Sequence, residues 1–113
     1  MFLQLLKYAI NIATVITGVV SLFWPLKVQE FTGLTVNGGR GITEVRTILG
    51  ALFIGLGVAA QIYNQKQTYA MLAIMYLAMA LVRGVSIIVD KSAVSSNIIS
   101  FATELIFGLI LML

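Results

Sequence analysis

Residues 69–89 read YAMLAIMYLAMALVRGVSIIV, and how this stretch is read decides the fold. It carries one charge, Arg83, and no proline. At 1.5 Å per residue, a helix of this length covers about 30 Å, the thickness of a bilayer's hydrocarbon core. Three further stretches have the same character: 7–24, stopped by Pro25, then 45–63 and 94–113. The links NQKQ at 64–67 and DKSA at 90–93 are too short for anything but antiparallel neighbours. The expected fold is all-α: one domain over residues 1–113, a four-helix transmembrane bundle running up-down-up-down.

Composition agrees. Of 113 residues, 60% are apolar, 7 are Lys or Arg and 4 are Asp or Glu. A soluble domain carries about a quarter charged residues. This chain cannot cover a water-facing surface, and its mean hydropathy of +1.06 says the same. The first span is too long for a signal-peptide core, and no small-x-small cleavage site follows it. Trp24, Pro25 and Lys27 read instead as a membrane exit: an interfacial ring, a helix stop and a charge.

The absent residue types exclude whole classes of chemistry. With no His and no Cys there is no imidazole-held haem, thiolate metal site, disulfide or Cys/His nucleophile pair. No cofactor and no metal are expected. The net charge of +3 is small and scattered, which fits loops beside anionic headgroups and not a nucleic-acid surface.

The one long connection covers 26–43. Leu26, Glu30, Phe31 and Leu34 recur at roughly helical spacing, so residues 25–33 are expected to form a short helix on the membrane surface. GGRG at 38–41 reads as a flexible turn; the sharper reading, a phosphate-cradling nest, lacks the Lys-Ser/Thr that a Walker loop supplies. Thr43 is the expected N-cap of the second span, with Glu44 in its first turn. Side A holds residues 1 and 113 and the Lys66 link. Side B holds the other two connections, with Lys27, Arg40, Lys91 and, just inside the helix, Arg46. The small basic excess leans side B toward the cytoplasm.

Glu104 is the residue most informative about function. It lies about 15 Å below side B, where a lone carboxylate costs several kcal/mol unless protonated, paired or wet. Asn97 and Ser100 share its helix face, with Thr103 beside it and Gly108 one turn on. Arg83 sits about 10 Å below the same side and can reach it from the neighbouring helix. The expected contact is a bidentate Arg83–Glu104 pair. Glu44 and Arg46 are placed to extend it into a four-charge cluster, and Asp90 to compete for Arg83. Two acids and two bases neutralise one another, which favours a structural role; a site for a ligand, an ion or a partner's charge is the alternative.

Met71, Met75 and Met79 form a stripe that reads as packing and not as a copper site. Ala51, Gly55 and Ala59, with Gly50 and Gly57 nearby, and Ala80 with Gly84, are small-residue stripes for close helix approach within the chain, or for an oligomer face. Asn11, Thr14, Gly18 and Ser21 form a polar stripe expected to donate interhelical hydrogen bonds.

Gly18 with a span ending at Pro25, TEVRTILG at 43–50, LVRG at 81–84 and TEL at 103–105 together resemble a bacterial family of small four-span membrane proteins. That family is known as a domain of unknown function and is similar in layout to DoxX-like proteins. The resemblance covers nearly the whole chain. It departs at Ala51, where a second Gly is expected after Gly50. It implies that Glu44, Arg46, Arg83 and Glu104 are the family's charged positions, and it supplies no activity. The expected function is a non-catalytic accessory, assembly or interaction subunit of the bacterial cytoplasmic membrane, in contact with lipid and with itself or a larger complex. The alternative is a binder or carrier of a small amphipathic ligand, lipid, quinone or ion at the Arg/Glu cluster. A small multidrug exporter would carry its essential carboxylate in the first span, where this chain has none. An intramembrane enzyme would have only Glu104 as base and Ser100 as nucleophile.

Overall fold

The computed structural model describes residues 1–113, and its regular elements are all helical. In chain order they are α1 (Phe2–Phe23), α2 (Pro25–Thr32), α3 (Gly38–Glu44), a π-helical segment (Val45–Ala51), α4 (Leu52–Tyr63), α5 (Lys66–Val89) and α6 (Ser95–Met112). Segments α3, π and α4 are continuous. Four helices are therefore long and apolar enough to cross a membrane: Phe2–Phe23, Gly38–Tyr63, Lys66–Val89 and Ser95–Met112. The chain is an integral membrane protein of all-α bundle class. In lipid every backbone N–H and C=O must be satisfied internally, which long helices do. Contacts gather the chain into two compact units, Tyr8–Tyr63 and Met1–Lys7 with Asn64–Leu113.

In the first of these units α1 runs antiparallel to the Gly38–Tyr63 helix, with backbones almost touching. A Cβ on Gly18 would lie 2.5 Å from the Gly50 carbonyl oxygen. One on Gly57 would lie 2.6 Å from Val15 Cγ2 and 2.8 Å from the Asn11 carbonyl. Gly50 and Gly57, not the Ala51/Gly55/Ala59 stripe, thus make the approach; Ala51 and Gly55 face outward, and a Cβ on Gly55 would meet nothing within 4 Å. The polar stripe on α1 is buried; its amide donates across to a neighbouring helix as expected, and two of its hydroxyls donate within α1. Asn11 Nδ2 crosses to Gln61 Oε1 at 3.0 Å. Thr14 and Ser21 donate to the Ile10 and Thr17 carbonyls of their own helix. A hydroxyl in a helix finds its i−4 carbonyl more easily than a distant partner.

The short helix forms where expected. Pro25 opens α2 and Gly33, at φ 79°, closes it. The segment after it departs from the sequence expectation. Residues 38–41 are the first turn of α3 and not a flexible turn. Gly38 turns the chain at φ 66°, a conformation without cost for glycine, and helix follows at once. Thr43 is consequently no N-cap; its hydroxyl donates to the Gly39 carbonyl inside the helix, and Asn37 stands at the N-cap. The π segment was not expected either. In an α-helix Val45 and Gly50 would point about 140° apart. The wider winding closes that angle, and both are buried.

In the second unit α5 and α6 pack antiparallel. The core residues are Leu72, Ala73, Tyr76 and Ala80 on α5 with Gly108 and Leu111 on α6. Tyr76 meets Phe107 edge-on at 5.5 Å. A Cβ on Gly108 would lie 2.6 Å from Leu77 Cδ2. The methionine stripe is not core: Met71 is exposed and Met75 and Met79 half-buried. At the far end Gln4 Nε2 donates to Asn64 Oδ1 at 2.9 Å, Tyr69 hydroxyl donates to the same oxygen at 2.7 Å, and Lys7 Nζ stands 5.0 Å from the centre of the Tyr69 ring. Helices α1 and α5 thus begin earlier than residues 7 and 69, because hydropathy marks where charge begins and not where the helix does.

Candidate functional site: an ion pair within the α5–α6 unit

Arg83 lies about 9 Å down α5 from its Val89 end, and Glu104 about 14 Å along α6 from Ser95. They meet as expected. Arg83 Nε donates to Glu104 Oε1 and Nη2 to Oε2, each at 2.8 Å. The remaining terminal nitrogen, Nη1, donates to Asn97 Oδ1 at 2.9 Å. Asn97 in turn donates through Nδ2 to the Ser92 carbonyl and hydroxyl, both at 3.1 Å. A polar chain therefore runs from the α5–α6 link into the helices: Ser92, Asn97, Arg83, Glu104. The Glu104 side chain is 7% exposed and that of Arg83 33%.

Packing brings the two helices together at this level. Gly84 stands under the Phe101 ring, where a Cβ would come within 2.8 Å of Cε1. The Tyr76–Phe107 and Leu77–Gly108 contacts lie one to two turns further in. An isolated buried carboxylate is costly in so apolar a setting; a fork-on-fork pair offsets the cost by geometry and charge together.

The other two expected members of the cluster belong to the Tyr8–Tyr63 unit. Glu44, in the Tyr8–Tyr63 unit, is held by Arg40 one turn back on α3. The two are i,i+4 on a helix whose early start sequence reading missed. Arg46, in the same unit, is exposed and makes no hydrogen bond or ion pair. Asp90 does not compete for Arg83; its carboxylate accepts from the Ser86 hydroxyl at 2.6 Å. Asn97 was visible in the sequence as a polar neighbour on the Glu104 face, but its part as the third partner of Arg83 was not. The signal was the seven-residue spacing, two helical turns, that places it on the link side of Glu104.

Chemically the two charges of the site answer each other. Both carboxylate oxygens accept from the guanidinium, and all three guanidinium nitrogens have a partner. The chain matches no family model, no curated protein and no solved structure.

Proposed function

We propose that this chain is a non-catalytic accessory or assembly protein of the bacterial cytoplasmic membrane, acting through helix-face contacts with further copies of itself or with a larger membrane complex. The observation that carries the reading is the pairing of Arg83 with both carboxylate oxygens of Glu104 and with Asn97. A pair so satisfied registers two helices and leaves no charge over for a substrate. With almost no mass outside the spans, the surface on offer is helix face, and it is apolar: Leu81, Val82, Val85 and Ile88 of α5 are all more than half exposed. The resemblance to small four-span bacterial proteins supports the same setting.

A second reading, a binder of a small amphipathic ligand, rests on one observation: a third of the Arg83 side chain stays open. One experiment separates the two. Purified in mild detergent from its native membrane, the protein is expected to retain a second polypeptide in fixed ratio, or to elute as a defined homo-oligomer. Elution as a monomer with a stoichiometric lipid or quinone, released by Arg83→Leu together with Glu104→Leu, would overturn the accessory reading and establish the binder.

A further inference from the structure

We propose that Arg46 is the headgroup ligand of a bound anionic phospholipid. The proposal stands apart from the role of Arg83 and Glu104. Of the four arginine and glutamate side chains expected to cluster, Arg46 alone has no hydrogen bond and no ion pair. The nearest carboxylate in sequence, Glu44, is occupied by Arg40. Helix α2 packs on the π segment that carries Arg46, and α2's own Lys27 and Glu30 are exposed, form no ion pair and offset one another. The region therefore keeps one uncompensated positive charge.

Its depth suits a phosphate. From Arg46 to the end of α4 at Tyr63 the helix rises about 26 Å, most of a hydrocarbon core, so the guanidinium sits at the headgroup boundary. The α1 register agrees: Gly50 packs on Leu22, so Arg46, one turn nearer side B, is level with the Trp24–Pro25 exit. Trp24 is 54% exposed there, as an interfacial ring is. An unpaired cation at the headgroup boundary matches an amphiphile with an anionic head, and a guanidinium fork takes a phosphate diester by two parallel hydrogen bonds.

Trp24 is the single tryptophan of the chain, so its fluorescence reports this neighbourhood alone. The test places full-length protein in vesicles containing phosphatidylcholine and phosphatidylglycerol, with brominated chains on one lipid or the other, and compares Trp24 quenching. The expected result is an apparent preference for phosphatidylglycerol of about fivefold, the effect of one basic residue at an anionic surface. Arg46→Gln should reduce it to near onefold, Arg46→Lys should keep part of it, and Lys91→Gln should leave it intact. The wild-type preference needs no variant, so a folding defect in Arg46→Gln does not decide the matter. Equal quenching by both lipids, or equal loss in Lys91→Gln, would overturn the proposal. So would full displacement by millimolar inorganic phosphate, which would assign the arginine to a free anion.

Discussion

Arg83 and Glu104 depend on each other unequally with what surrounds them. Glu104 has no acceptor role outside the pair, whereas Arg83 also holds Asn97, and through it the link at Ser92. Glu104→Gln should therefore be harsh. It removes the negative charge and turns an NH2 group toward the guanidinium, and the expected loss is about 3–5 kcal/mol, read as a lower midpoint in detergent denaturation. Replacing both residues with leucine should recover much of that, because the desolvation cost leaves with the charges; a double variant as unstable as the single would refute this account of the pair. Asn97→Ala should cost less, about 1–3 kcal/mol, the scale of a lost hydrogen bond to a charged group. The pair was legible in the sequence because depth and helix order leave a mid-membrane carboxylate few partners. The Arg40–Glu44 pair was not, since the helix that joins the two was expected to begin only after Arg40.

The Gly38–Tyr63 helix meets α1 at two levels through glycine, and the two classes of glycine on it should respond oppositely to alanine. At Gly57 the new methyl would lie 2.6 Å from Val15 Cγ2 and 2.8 Å from the Asn11 carbonyl oxygen. The carbonyl cannot move without its helix, so Gly57→Ala should destabilise by about 1–3 kcal/mol. At Gly55 nothing lies within 4 Å, and alanine there should be neutral or stabilise by up to about 1 kcal/mol. Thermal midpoints of the two variants in one detergent check both; a fall at Gly55 with none at Gly57 would mean that the outward small-residue stripe is the packed one. Sequence spacing found both sets of small residues but could not rank them. Ala51, Gly55 and Ala59 look the better stripe on a regular helix, and the π winding between Val45 and Ala51 rotates the preceding face relative to it. A change of winding leaves hydropathy unaltered, so nothing in the pattern announces it.

At the scale of the whole chain, composition decided the class, because 60% apolar residues with so few charges have only lipid as a suitable solvent. Function was far less legible, since no His, Cys or convergent nucleophile marks a reaction and the one buried charge pair satisfies itself. Membrane topology is the strongest statement left at this scale. Four crossings would put residues 1 and 113 on one face with the Asn64–Gln65 turn, and the α2–α3 connection and the α5–α6 link on the other. Lys27, Arg40, Arg46 and Lys91 would then share the second face, against Lys7 and Lys66 on the first, a small excess by which the positive-inside rule leans the second face toward the cytoplasm. The chain has no cysteine, so single cysteines report without background. Asn37→Cys and Ala93→Cys, both at exposed positions, should react with an impermeant maleimide only in inside-out vesicles, and Gln65→Cys, also exposed, only in right-side-out ones. Reaction of Asn37→Cys and Ala93→Cys from opposite sides would refute four crossings. Reaction of both from the outside would keep the crossings and reverse the orientation, leaving the Arg46 face in the outer leaflet.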